Sequence, residues 1–334
     1  FGSWPIYFAA VGKNYELPEV IYRIGTDRSG AYTHYERKRT RHRWRLSDER
    51  NAPVFKTSHV TADYAVGSDQ GGLLQPIQQH SWDVTWSVPD PRGVHNTIFS
   101  VQAHYSVDEL MMYFTEMPDS MPKAVTFQSK PTYISEGKLL GGSPYEQIFQ
   151  QDDTVISLTN VPAGATFEQV NGFFSKDLAK LEEDASGWIF VQGGRAYIAY
   201  RPLAAYEWRP LEKGGKRLVS PHGKNGTIVQ AASASEFKSW EEFKAKIRAL
   251  PLTIALSPTP TVAFTTLRGR KVECAYGAAP RVDGREIDYA RDWKLFSGRY
   301  LNADVGSGML TITHGRLKRV LDFNTVTITD AVAP

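Results

Sequence analysis

The chain's hydrophobic pattern is dominated by period-two alternation. Within residues 81–88, Trp82, Val84, Trp86 and Val88 share one parity, and Ser81, Asp83, Thr85 and Ser87 the other. That is the signature of a strand with one buried face. His80 has the parity of the tryptophans, so it begins the apolar face, where an imidazole needs a partner or a role. Residues 97–105 alternate too, with Phe99, Val101, Ala103 and Tyr105 predicted inward against Ile98, Ser100, Gln102 and His104. Further strands are predicted in 125–134 and in 147–161, the latter broken by a turn at Gln150-Gln151-Asp152-Asp153. Residues 188–202 form the best hairpin, turning at Gly193-Gly194. Strands follow at 226–232, 261–267, 271–276, 309–314, 317–323 and 325–329, with a tight turn at Gly315-Arg316. Residues 107–117 suit either a helix or a buried strand.

Helical periodicity is scarce. Residues 15–27 predict a helix with Pro18 in its first turn and Val20, Ile21 and Ile24 on one face. A short helical piece is expected at 179–183, AKLEE. The clearest helix is 239–250, with Ser239 and Glu242 as a capping box, Phe243, Ile247 and Leu250 on one face, and Pro251 as the stop.

Together these elements predict a mainly β protein: a large antiparallel β-sandwich, supersandwich-like, with a few helices and an N-terminal remnant of a helical domain. The expected units are a helical and basic segment at 1–52, a main sandwich at 53–255, and C-terminal strands at 256–334 that complete it or form a small second β domain. The proline-rich stretch 251–260 marks the second boundary.

Composition narrows the picture only a little. The 334 residues are 41% hydrophobic and 22% charged with a net charge of +3, so charge does not argue for nucleic acid as the partner. No apolar run is long enough to span a membrane. Cys274, the one cysteine, sits in the strand-like run VECAY as a small buried hydrophobe. The eight histidines are dispersed without metal-grip spacing, and no metal or cofactor is expected. Six of the nine residues 37–45 are Lys or Arg. They read either as a solvated charged face or as a cationic strip for an anionic polymer. The opening at Phe1 reads as a piece of something longer whose missing part held any export signal.

No hydrolase elbow, Walker loop, dinucleotide fingerprint or metal motif is present. What remains is a Tyr, His, Gln, Trp and Arg constellation, which suits acidic sugars. Removing the C5 proton of a uronate needs a Tyr or His base, and cations or amides must neutralise the developing charge. Hydrolysis would instead need two carboxylates at a set separation, for which Asp63, Asp69 and Asp83 lie near the central stretch.

Five segments carry a family resemblance: HVTADYAVGSxQGGxxQPIQQHSWDVTW at 59–86, SPYEQ at 143–147, SGWIF at 186–190, NGTIVQ at 225–230 and SWEEFK at 239–244. In this order they resemble the C-terminal β region of heparinase II/III-like and alginate-lyase-like proteins, in which an (α/α) toroid precedes a β-sandwich. The H-x-H-x-D segment of better-known members has no match here. The resemblance implies a cleft between toroid and sheet, an upstream helical domain, a secreted or periplasmic setting, and an acidic polysaccharide as partner. It makes His80 the sheet's catalytic histidine.

The resulting expectation is β-elimination on a uronate-containing glycan. Tyr64, or a tyrosine of the missing domain, acts as base and acid, and His80 and His59 neutralise the carboxylate. Gln78, Gln79, Arg41, Arg43 and Trp44 bind the polymer, while Trp82 and Trp86 pack in the core. A glycoside hydrolase of the same plan and a non-catalytic carbohydrate-binding module are the alternatives.

Overall fold

The structure, a computed structural model, describes residues 16–39, 53–70, 81–88, 96–100, 145–164, 170–211 and 214–332. A helix, α1 (Glu19–Thr26), leads into β1 (Tyr32–Arg39), β2 (Pro53–Val60), β3 (Tyr64–Gln70), β4 (Trp82–Trp86) and β5 (Thr97–Ser100). Then come β6 (Glu146–Gln151), β7 (Thr154–Asn160), β8 (Val170–Phe174), β9 (Lys180–Glu183), β10 (Ile189–Gly193) and β11 (Ala196–Pro202). After β12 (Glu207–Pro210), β13 (Lys216–Ser220) and β14 (Lys224–Ser233), helix α2 (Trp240–Ala249) precedes β15 (Leu252–Ala255), β16 (Thr261–Thr265) and β17 (Lys271–Ala275). Two-residue strands β18 (Arg281–Val282) and β19 (Arg285–Glu286) lead to α3 (Tyr289–Asp292), β20 (Phe296–Ser297) and β21 (Leu301–Asn302). The chain ends in β22 (Met309–His314), β23 (Leu317–Asp322) and β24 (Thr327–Val332).

Among the described residues the strands make four sheets. A nine-stranded sheet runs β12-β13-β8-β5-β4-β3-β2-β1-β20, and a six-stranded sheet runs β6-β7-β14-β11-β10-β9. A five-stranded sheet holds β15 to β19 in sequence order, and a four-stranded sheet holds β21 to β24. The fold is mainly β and sandwich-like, as the alternation predicts.

Two cores explain the layering. In the first, Tyr64, Val66, Trp82, Val84, Trp86 and Ile98 of the nine-stranded sheet face Val155, Ile189, Val191, Ile198, Tyr200 and Val229 of the six-stranded sheet. In the second, the far face of the six-stranded sheet, with Ile156, Leu158, Phe190 and Ile228, packs on α2 and the five-stranded sheet. The six-stranded sheet is therefore covered on both sides. Its strands lose alternation: six consecutive residues of β7 are buried, whereas β3 and β4 alternate buried with half-buried. Some polar groups caught in the double-covered sheet are bonded, as in Thr154 Oγ1 to Gln230 Oε1 at 2.7 Å, while Gln150 Oε1 and Thr159 Oγ1 are buried without a hydrogen-bond partner.

Several sequence expectations hold residue by residue. Trp82, Val84 and Trp86 are buried opposite Ser68, Val66 and Tyr64. The expected hairpin joins β10 to β11, with its two-residue turn at Gly194-Arg195, one residue beyond the expected Gly193-Gly194, and Cys274 is a buried free thiol. Ser239 caps α2 by accepting the Glu242 N–H at 3.1 Å. The Glu242 carboxylate takes the N–H of Lys238 rather than closing the box on Ser239. Three expectations need correction. AKLEE is not helical, because residues 180–183 pair with β10 as the edge strand β9. Its straight-chain residues favour a helix locally, but strand pairing and the packing of the partly buried Leu181 against the core outweigh that. In β5 the inward residues are Ile98 and Ser100 rather than Phe99, because Ile98 pairs with the inward Val84 while Phe99 stacks on Phe173 at 4.9 Å. Finally, residues 325–326 lie in the turn, and the last strand begins at Thr327.

The unit boundaries drawn from sequence cross paired strands. The boundary at 52 separates β1 from β2, which pair along eight residues, and that at 255 separates β15 from β16. In the described part of 1–52 the helical content is α1, which packs on β22 and β23. Residues 107–117 and 125–134 lie outside the described residues.

Towards β1 the sandwich interior turns polar. Register puts Thr33, His59 and Val66 in one row, and Tyr35, Thr57 and Ser68 in the next, all on the inner face. Beyond them, α3 and the residue after it close the interior, with Tyr289 and Trp293 against Phe55 at ring separations of 4.8 and 5.4 Å. This polar end holds the candidate site.

Two predictions follow from the packing. A Cβ at Gly193 would fall inside contact distance of the buried Trp86 indole. Gly193→Ala should cost about 1–3 kcal/mol in chemical denaturation and alter the tryptophan emission. Glu146 ties the two sheets, accepting hydrogen bonds from Ser81 Oγ at 2.5 Å and Ser157 Oγ at 2.6 Å. Burial of its carboxyl pushes its pKa up from 4.5 to about 7, although both serines work against the shift. A folded-state value above the unfolded one means stability that is full below about pH 4.5 and lost as pH rises through about 7. Unfolding free energy should fall by up to about 3 kcal/mol across that window, and Glu146→Gln should flatten the profile.

Candidate functional site

The β6–β7 turn places two neighbouring carboxylates, Asp152 and Asp153, at the polar end of the sandwich. Asp152 has φ of 50°, a left-handed conformation that aspartate tolerates better than most residues. Asp152 Oδ1 accepts the Thr33 hydroxyl at 2.6 Å, and Oδ2 accepts Gln151 Nε2 at 2.7 Å. Thr33 Oγ1 in turn stands 2.9 Å from His59 Nδ1. A hydroxyl has one proton. Since Thr33 donates it to Asp152, it accepts from His59, which fixes the imidazole proton on Nδ1. His59 Nε2 is then a bare lone pair, buried and without a hydrogen-bond partner.

Tyr64 completes the pair. Its ring lies 6.2 Å from the imidazole, and its buried hydroxyl makes no hydrogen bond of ordinary geometry, although it lies near enough to Arg268 for that guanidinium to lower its pKa. Asp153 points into the six-stranded sheet, where it accepts Gln230 Nε2 at 2.7 Å and Arg268 Nε at 2.9 Å. Arg268 also pairs with Glu236 at 2.7 Å. Asp153 is fully buried while the Arg268 side chain is 42% exposed, so the cluster runs from the interior to the surface.

Burial drives the two proton-handling groups apart. It lowers the pKa of His59, with Asp153 and Asp152 offsetting part of the effect. It raises that of Tyr64, and the charge on Asp153 raises it further. At neutral pH the site therefore holds a neutral imidazole with a free nitrogen beside a protonated phenol. That is a base next to an acid.

Of the residues singled out from sequence, His59 and Tyr64 are brought together here. His80, Gln78, Gln79, Arg41, Arg43 and Trp44 lie outside the described residues. Among the carboxylates considered for hydrolysis, Asp63 pairs with Arg195 at 2.6 Å and Asp69 with Lys56 at 3.2 Å. Sequence reasoning missed Thr33, Asp152 and Arg268. The Asp152-Asp153 pair was visible as a turn, but nothing local in the sequence says that its two side chains serve different partners. Arg268, more than 200 residues from His59, left no signal in the sequence.

The geometry predicts opposite stability effects for two substitutions. Tyr64→Phe removes a buried hydroxyl that makes no hydrogen bond of ordinary geometry, and should leave unfolding free energy unchanged or raise it by up to about 1 kcal/mol. Arg268→Ala strands the buried Asp153 charge. It should cost roughly 1–3 kcal/mol, between the values for exposed and buried pairs. Chemical denaturation of both variants checks this.

Compared with known proteins, the chain matches no family model, no curated protein sequence and no solved structure.

Proposed function

We propose that this protein acts on a uronate-containing glycan by β-elimination, in a secreted or periplasmic setting, with His59 and Tyr64 handling the proton. The observation that carries the reading is the pairing of two buried polar atoms without a hydrogen bond of ordinary geometry, His59 Nε2 and Tyr64 Oη, on neighbouring side chains. Unsatisfied buried groups are rare and call for an explanation. The heparinase-like and alginate-lyase-like sequence resemblance also supports an acidic glycan.

The roles differ from those expected from sequence. His59 Nε2 takes the C5 proton, the electron pair forms the C4–C5 double bond, and the C4–O bond breaks. Tyr64 gives its proton to the leaving oxygen, and the proton on His59 then restores the phenol. Arg268 neutralises the uronate carboxylate as charge develops there. Asp152, through Thr33, holds the imidazole in the tautomer the first step needs.

One observation favours a second reading, a non-catalytic glycan-binding module: His59 and Tyr64 are only 6% and 2% exposed. A single assay separates the two. The chain is incubated with pectate, alginate and heparin, and unsaturated product is followed by ultraviolet absorbance. Elimination predicts absorbance that falls about 10²-fold or more in His59→Ala and in Tyr64→Phe, with both variants folded. Turnover unchanged in His59→Ala would falsify the assignment. Reducing ends without unsaturation would mean hydrolysis, and affinity without product would mean a binding module.

A further inference from the structure

A second feature lies on the other side of β1. Where α1 ends, the chain runs through Asp27 and Arg28 and meets the four-stranded sheet. An open cleft of about 590 Å³ lies between them, lined by Arg23, Thr26, Arg28, Arg299, His314 and their neighbours. That volume is within the usual range for small-molecule sites.

The charges in the cleft do not cancel. Among the described residues Asp27 is the only acid that lines it. Its carboxylate is 8% exposed and already accepts the Ser29 N–H at 2.7 Å, the Tyr300 hydroxyl at 2.7 Å and His314 Nε2 at 2.9 Å. The Ser29 bonds, then those from Tyr300 and His314, hold it well below the usual carboxylate range. Arg299 sits 3.8 Å from Asp27 and also donates to Ser29, while Arg23 pairs with Glu19. Arg28 is different. It donates through Nη1 to the carbonyls of Gly25 and Asp27, at 3.2 and 2.8 Å, and meets no carboxylate among the described residues. The rim therefore keeps one uncompensated guanidinium beside the hydroxyls of Thr26 and Ser29.

We propose that this cleft binds an organic acid. A single carboxylate sits against Arg28 and Arg299, and a polar, sugar-sized body lies along Thr26, Ser29 and Gly315. One free positive charge matches one carboxylate, and the cavity is far larger than a bare ion needs. Tyr300 is not a base here, because burial and its bond to Asp27 push its phenol up to about 12. The cleft recognises its ligand without transforming it. The inference shares the acidic ligand class with the elimination reading but uses none of its residues, so either can fail alone.

Isothermal titration of the full chain with glucuronate, glucose and inorganic phosphate tests it. Glucuronate should bind, with glucose at least about tenfold weaker. Arg28→Glu should weaken glucuronate at least about tenfold, and Arg28→Lys should restore most of the affinity. Raising salt from about 20 to about 200 mM should weaken binding to the unaltered chain several-fold, a check that needs no variant. Equal affinity for glucose, insensitivity to Arg28→Glu, insensitivity to salt, or phosphate binding as tightly as glucuronate would each overturn the proposal.

Discussion

The rest of the structure depends on one constraint, the covering of the six-stranded sheet on both faces. Strands buried on two sides cannot keep polar side chains in water, so a polar group there either finds a partner inside or costs stability. Between the hydrophobic core on one face and the helix-backed core on the other, the β6–β7 turn stays half-buried at Asp152 and buried at Asp153, against the polar end of the interior. The candidate site lies at that transition. Asp153 still belongs to the buried sheet, with Gln230 and Thr154 as partners, while Arg268 reaches from it to water. Two cores of roughly equal residue count hold the sheet in place, so the turn is presented on a rigid base rather than on a loop.

The polar end of the nine-stranded sheet supplies the other half of the site. Its inner face is apolar on β4 and at Tyr64 and Val66 of β3, and becomes polar from Ser68 and Gln70 of β3 across β2 and β1. There the facing sheet no longer offers apolar side chains, and an aromatic cluster around Tyr289 and Trp293 fills the space instead. A histidine on this part of the sheet is neither in water nor in hydrocarbon. It is in a hydrogen-bonded interior that sets its tautomer through Thr33. Burial in that interior, more than any single charge, lowers the pKa of His59 and raises that of Tyr64, so both rings are held neutral.

Legibility from sequence followed the same physics. Where one face was solvated the period-two signal was clean, and 81–88 was read residue by residue. Where both faces were covered the alternation vanished, yet β7, β10, β11 and β14 were still found, because long apolar runs were bounded by turn signals such as Gly193-Gly194. Residues 180–183 were misread because an edge strand rich in Lys and Glu looks like a helix until its partner is known. Tyr64 and His59 were picked out for their chemistry, and the fold brings them together. Their supporting residues were not legible, since Thr33, Asp152 and Arg268 come from three distant parts of the chain. Six of the eight residues of the acidic-polymer site drawn from sequence, His80 among them, fall outside the described residues.

The Asp152-Asp153 turn carries a further implication. Adjacent residues at a hairpin tip usually form a permissive segment, where lengths drift between relatives without harm. Here the two carboxylates are sorted to different sheets by their order in the backbone. Adding or deleting one residue would exchange their directions and leave the imidazole without its orienting acid. This tip should therefore be among the least length-tolerant connections in the molecule, although it lies at the edge of the sandwich.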